Sequence, residues 1–328
     1  MSVPSAFNFS ISVMAPSINR PELPKEIFVE VHRIEHFQLI RILIFLCLFM
    51  CGALGAVNVV QAFDGALGML AATPFYLLAA ASLHGISLFT HEGVHGLISR
   101  HSGINDVISS VCAWPVLQTF AAYRVLHLRH HRQLGVEGDP DHYANYTARK
   151  GMVFLMHWGR LIFGYPVYIT FIPLLGLWRG SWRDRFQIVM ELLCVISIFT
   201  WVLMSDIDQN WLIHGWLCPM GLIHFMVNIR GMSQHTLLEH AADEVLGTRT
   251  IMTNPVTQYF MCNENFHLEH HVYPGVPWYH LPTVHRVLKP ELISRGAPLI
   301  PSYSHFVRSF VSASFTRRPS GSVDLSHL

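Results

Sequence analysis

Residues 67–95 read LGMLAATPFYLLAAASLHGISLFTHEGVH. The run from Leu67 to Thr90 carries no Asp, Glu, Lys or Arg and is followed at once by two histidines four positions apart. A bilayer core takes about 20 apolar residues of helix to cross. Imidazole is the commonest neutral metal ligand near physiological pH, and side chains at i and i+4 share one helix face. The stretch therefore predicts a membrane-spanning helix that delivers two metal ligands, His91 and His95, to one side of the membrane.

Composition agrees with a membrane setting. Hydrophobic residues make up 51% of the chain and charged ones only 13%, about half the charge of a soluble domain. Lys+Arg (22) and Asp+Glu (21) nearly cancel, so no basic surface points to nucleic acid. The six cysteines make no CxxC pair and read as small apolar residues. No cleavable signal peptide is evident in the polar, proline-containing first 35 residues.

A second apolar run, 38–60, precedes the first. The loop between them carries Asp64 and no Lys or Arg, whereas Arg20, Lys25, Arg33 and Arg41 lie upstream. The bias of basic residues to the inner side places the N-terminus and His91 in the cytoplasm. Three further apolar stretches follow, 152–178, 186–204 and 211–229. An even number of these must cross if the later histidines are to meet the earlier ones. The pair 186–204 and 211–229 fits, with Asp206 and Asp208 in its outer turn and Arg179, Arg183, Arg185 and Arg230 on its inner flanks. The stretch 152–178, which holds His157, Arg160, Pro166 and Pro173, is expected along the interface, and residues 105–123, with Pro115, are expected to be interfacial or re-entrant. The fold expected is an all-α integral membrane protein. It has four transmembrane helices and a cytoplasmic helical cap holding a histidine-rich di-metal site. The segments are a cytoplasmic 1–37, a membrane domain 38–290 and a cytoplasmic tail 291–328.

Two more clusters accompany His91-Glu-Gly-Val-His95: His127-Leu-Arg-His130-His131 and His267-Leu-Glu-His270-His271. Eight imidazoles exceed what one tetrahedral ion uses, so more than one ion is expected. A further ligand is expected from His235 or His240. These are five apart and do not share a helix face, so only one should serve. Ligating imidazoles usually donate their second nitrogen to a carboxylate or amide; Glu92, Asp139, Asp141, Glu239, Asn263, Asn265 and Glu269 are candidates for that supporting role. The string HEGVH also fits the HExxH zinc-protease signature, with Glu92 as general base, although six more clustered histidines are then left over. A metal-handling transporter is the other reading from outside oxidative chemistry.

HEGVH, HLRHH and HLEHH, with the tail NENFHLEHHVYPGVPWYHLP, resemble the membrane fatty acid desaturase family over residues 38–290. That resemblance implies a four-span protein with two non-haem iron ions at the clustered histidines. It implies O2 as co-substrate, a separate electron donor of ferredoxin or cytochrome b5 type, and a lipid or fatty acyl substrate. It also favours His235, because Arg230-Gly-Met-Ser-Gln234-His235 matches the family's Arg-x-x-x-Glu-His pattern with Gln for Glu. The third motif begins with His rather than Gln, unlike desaturases acting between an existing double bond and the carboxyl end. The activity expected is acyl desaturation, with a hydroxylase, ketolase or alkene-forming decarboxylase as the alternative. The substrate tunnel is expected between spans one, two and four; Trp211, Trp216, Trp278 and Tyr279 are candidates for its rim or, as the default, for an aromatic belt at the membrane edge. Lys289, Arg295, Arg317 and Arg318 are considered as a docking face for an acidic donor, against the ordinary reading of lipid-facing charge.

Overall fold

Apolar runs of this length have no alternative to helix in a bilayer, because only a helix satisfies every backbone polar group within one segment. The computed structural model describes residues 20–63, 65–238 and 240–315; Asp64, Glu239, Arg317 and Arg318 lie outside them. Among the described residues, five helices are long and apolar enough to cross a membrane: Gln38–Ala62, Gly65–Val94, Gly151–Arg179, Trp182–Met204 and Gln209–His235. Four of them contain the four expected spans.

The described elements run as follows. A short α1 (Lys25–Val31) leads into α2 (Gln38–Ala62) and α3 (Gly65–Val94). These two pack tightly because Gly52 leaves no side chain between them; a Cβ there would stand 2.7 Å from the Ala79 backbone nitrogen. After α3 come α4 (Ser102–Ala113), a single tight turn at Trp114–Val116 around Pro115, and α5 (Phe120–Arg132). Helices α6 (Lys150–Arg179) and α7 (Trp182–Met204) follow, joined by Gly180 and a Ser181–Asp184 capping box. The expected fourth span is not one regular helix. It comprises α8 (Gln209–Leu212), a wide π turn at Ile213–Leu217 and α9 (Cys218–His235). Pro219 supplies the reason: it donates no amide hydrogen and its ring crowds the carbonyl four residues back, which a widened turn relieves.

The outer surfaces of α2 and α7 carry exposed Ile40, Leu43, Phe186, Leu193 and Trp201, as a lipid-facing helix would. Gln61 near the end of α2 donates to Asp208 just before α8 at 3.2 Å. The α2–α3 and α7–α8 turns therefore lie side by side.

Beyond α9 the chain folds into a second apolar core. The elements there are α10 (Pro255–Phe260), α11 (His267–Val272), α12 (Leu281–Ser294) and α13 (Tyr303–Phe315); α11 and α12 build that core, whereas Phe306 and Phe310 of α13 pack with Met232, Ile251 and Ile300. Val31 of α1 joins Leu268, Val272, Leu281, Val284 and Leu288 in the second core. The Tyr273 hydroxyl pins the N-terminal strap, donating to the Pro21 carbonyl at 2.6 Å and accepting from the Leu23 amide at 3.1 Å. One departure from all-helical expectation is a parallel pair of two-residue strands, β1 (Thr250–Ile251) and β2 (Leu299–Ile300). It ties the segment before α10 to the approach to α13.

Candidate metal centre

Each histidine motif sits on a helix whose opposite face is held. Gly93, inside HEGVH, lets α4 cross α3 at the motif; a Cβ there would lie 1.7 Å from the Ser109 hydroxyl. Asn105 of α4 closes the end of α3, donating to the Gly93 carbonyl at 2.8 Å and accepting from the Ile98 amide at 3.2 Å. The first turn of α5 buries Phe120, Ala121 and Ala122. The buried Glu191 carboxylate of α7 accepts from the Ala121 amide at 3.2 Å and from Ser110 at 2.8 Å, a helix N-terminus matched by an anion. Six-residue α11 is too short to persist alone. Leu268 and Val272 anchor it in the second core, and its histidines turn the other way.

Nine imidazoles converge from these elements. His91, His95, His127, His131 and His270 each offer a nitrogen within 4.8 Å of one another, and His130, His235 and His271 form a second such group. His267 joins the second group, its Nε2 lying 3.2 Å from that of His235 and 3.1 Å from that of His271. Between the motifs the first group is chained by Nε2–Nε2 approaches of 3.2 Å (His95–His127), 3.0 Å (His127–His131) and 3.2 Å (His131–His270). Both HxxHH motifs split in the same way. The i, i+4 pair of HLRHH (His127, His131) serves the first group while the middle His130 serves the second. In HLEHH the i, i+4 pair (His267, His271) serves the second group while His270 serves the first.

The donor chemistry fits cations. A neutral imidazole has one N–H. His235 Nδ1 lies 2.9 Å from the Gly247 carbonyl, which only accepts, so the proton is on Nδ1 and Nε2 presents a lone pair. His267 Nδ1 lies 2.8 Å from a Glu264 oxygen, which likewise turns the Nε2 lone pair inward. Two lone pairs facing at 3.2 Å repel unless a cation lies among them. His91 Nε2 is buried with no hydrogen-bond partner among the described residues. Burial, and the closeness of the other histidines, hold His127, His131, His267, His270 and His271 well below the ordinary histidine range; burial pushes His95 down to about 3. The rings are thus neutral and ready to ligate. His130 is the exception: burial pulls it down, but the hydrogen bond to Asp139 and the charges of Asp141 and Asp139 outweigh that and raise it. Asp139 is lowered in turn, its burial being outweighed by the bond to His130 at 2.9 Å.

The supporting residues divide. Asp139 orients His130 as expected. Glu92 stands at the outer side of His91, 3.8 Å from Nδ1, and accepts from the Trp278 amide at 3.1 Å. The Trp278 amide thus engages one of its two carboxylate oxygens. Four other candidates hold the scaffold rather than a clustered histidine. Asp141 donates its amide to Asp139. Asn263 bonds Gln258 and the Trp278 carbonyl, and Asn265 bonds the Ile251 carbonyl. Glu269 bonds His285 at 2.6 Å and Thr250, because position i+2 from His267 points to the opposite face of α11. His240 is exposed and belongs to neither group.

Glu264 was not anticipated. It holds His267 Nδ1, lies 3.6 Å from His91 Nδ1, and meets Arg230 at 3.6 Å and Gln234 at 3.3 Å. Burial raises it to about 7 against the opposing pull of Arg230 and Gln234. Its place three residues before His267, on the same helix-like face, was the available signal. The Gly247 carbonyl had none, since any residue supplies one. His214 and His224, by contrast, make the interhelical bonds expected of polar groups in a span, to Tyr76 at 2.6 Å and to the Leu161 carbonyl at 2.7 Å.

A cavity of about 1580 Å³ opens beside the two groups; His91, His127, His130, His235 and His267 line it. Its walls are α3, α5, α6 and α9, together with the loops after α5 and α9. This corrects the expected tunnel. Helix α6 takes the place of the first span, and Trp211, Trp216, Trp278 and Tyr279 are not among the lining residues. Trp216 instead donates to the Pro115 carbonyl at 2.8 Å.

The fatty acid desaturase family model matches residues 67–303. Among curated relatives, an sn-1 oleoyl-lipid 12-desaturase of Arthrospira platensis is 23% identical, covering 69% of this chain and 72% of its own. An sn-1 acyl-lipid omega-3 desaturase (ferredoxin) of Nostoc sp. is 20% identical over 66% and 67%. A beta-carotene ketolase of Haematococcus lacustris is 24% identical over 69% and 66%.

Proposed function

The chain belongs to the fatty acid desaturase family, and from that premise we propose that it is a membrane-bound di-iron oxidoreductase that desaturates the acyl chain of a lipid. The convergence of nine imidazoles into two adjoining groups carries the reading. In the proposed reaction a –CH2–CH2– unit loses two hydrogens, and O2 is reduced to two waters by those hydrogens together with two electrons and two protons. A separate protein of ferredoxin or cytochrome b5 type supplies the electrons; the relative that is named for ferredoxin supports the first.

Two irons, held by His91, His95, His127, His131 and His270 and by His130, His235, His267 and His271, would supply activation of O2 toward an unactivated C–H bond. The protein's own work is positional. Asp139, Glu264 and the Gly247 carbonyl fix the tautomers of the second group. The cavity walls of α3, α5, α6 and α9 hold the chain beside the histidines and keep bulk water from it.

Four spans with both termini and the metal site on the cytoplasmic side fit this assignment. The ends of α3 and α9 meet at the histidines, and the α2–α3 and α7–α8 turns lie together at the far side. An even number of crossings between α3 and the end of α9 satisfies both, which leaves α6 at the interface.

Ketolation or hydroxylation by the same centre is the second reading, favoured by the ketolase relative. Product mass separates the two. Labelled fatty acids fed to a host expressing the chain should yield products lighter by two hydrogens, with about two irons per purified chain. Products heavier by oxygen would favour the second reading, and one zinc per chain would refute both.

A further inference from the structure

The cavity is not uniformly apolar. Arg160, three turns into the apolar helix α6, projects into it and is half-buried. Its Nε donates to the Asn228 side-chain oxygen at 3.4 Å, and the Tyr143 hydroxyl is its other polar partner. Among the described residues no carboxylate lies within ion-pair distance of Arg160; Asp141, in the cavity wall, acts on it only through space. The neighbouring Arg230 has its counter-charge in Glu264.

Two glycines are reserved for this arrangement. A Cβ at Gly164 would stand 2.5 Å from the Asn228 oxygen, and a Cβ at Gly231 would stand 2.4 Å from an Arg160 terminal nitrogen. Gly231 lies four residues before His235 on the same face of α9, about 6 Å along the axis. The guanidinium therefore stands within roughly one helical turn of the second histidine group.

A half-buried cation facing a largely apolar cavity costs free energy without a counter-charge, and among the described residues none lies at contact. We propose that Arg160, steadied by Asn228 and Tyr143, binds the anionic oxygen head group of the substrate, a carboxylate or a phosphate, and so lays the attached chain along the histidine groups. The apolar wall of α6 beyond it, Phe163, Val167, Phe171 and Leu175, then receives the alkyl tail. This rests on the acyl-lipid reading above and names the head-group chemistry of that substrate.

The test is competition against labelled palmitic acid on the iron-loaded, full-length protein in detergent. The competitors are palmitic acid, methyl palmitate, hexadecyl phosphate and hexadecanol. A charge-assisted hydrogen-bond pair should favour the anionic head over its neutral counterpart roughly tenfold or more. Preference for palmitic acid over methyl palmitate identifies a carboxylate; preference only for hexadecyl phosphate over hexadecanol identifies a phosphate. Arg160→Gln should erase the preference with iron content unchanged. Gly231→Ala, which keeps the charge but pushes the guanidinium aside, should reduce it, and serves if Arg160→Gln fails to fold. Equal binding of charged and neutral chains by the wild type, or an undiminished preference in Arg160→Gln or Gly231→Ala, overturns the anchor alone. If none of the 16-carbon chains binds, the acyl-lipid reading falls with it.

Discussion

The two histidine groups differ in how their outer nitrogens are held. In the second, three of four rings are fixed from behind: His130 by Asp139 at 2.9 Å, His235 by the Gly247 carbonyl at 2.9 Å and His267 by Glu264 at 2.8 Å. In the first, His131 and His270 have buried Nδ1 atoms with no partner, and His91 Nδ1 has only carboxylates at 3.6 and 3.8 Å. The first group has five imidazoles and the second four. Where more ligands converge, their number fixes the geometry. Where fewer do, hydrogen bonds from behind must hold each ring and set its tautomer.

That contrast can be broken most forcefully by removing a ligand. His270→Ala takes away the HLEHH contribution to the first group; activity should fall below detection and bound iron should drop. Full iron with full activity would contradict the assignment. Next in size, Asp139→Asn and Glu264→Gln should each weaken iron binding by about 10–100-fold, acting on the second group. Iron titration followed by Mössbauer spectroscopy would check this, with one of two signals lost first; equal loss of both would erase the distinction drawn here.

Acidity should act more gradually. The histidines held below 6.5 in the folded protein cannot take up protons that the unfolded chain accepts at that value. The stability they contribute is therefore present above about pH 6.5 and lost as the pH falls through it. Iron retention over a series of buffers from pH 8 to about 5 should fall across that window; a flat profile would speak against buried neutral ligands. The smallest effect belongs to Glu92→Gln. Its carboxylate sits behind His91 and on the Trp278 amide, so activity should change no more than a few-fold. Near-complete loss, as for a general base, would return the protease reading to contention.

Much of the fold was legible in linear order, since helices in lipid follow from runs of apolar residues. All four expected spans lie within helices of the structure. The sequence also singled out the eight clustered histidines that the structure brings together; between His235 and His240 only the family resemblance favoured the first. It could not find Glu264 from a rule about carboxylates in general, because Asn263, Asn265 and Glu269 looked equally suitable. Which of them faces a histidine depends on the turn between α10 and α11, where Cys262 and Asn263 take left-handed conformations at φ 44° and 56°.

By itself the sequence determined the residue chemistry: how much of the chain belongs in lipid, and that more than one cation's worth of imidazole is present. Only the tertiary structure decided the partition, giving the i, i+4 pair of each HxxHH motif to one imidazole group and its middle histidine to the other. The reason is geometric. A helix fixes which side chains diverge, but which ones meet depends on helices more than a hundred residues apart being pressed together by cores that no local spacing encodes. The same holds for Arg160, an unremarkable basic residue in α6 until Gly231 and Asn228 of α9 are folded against it.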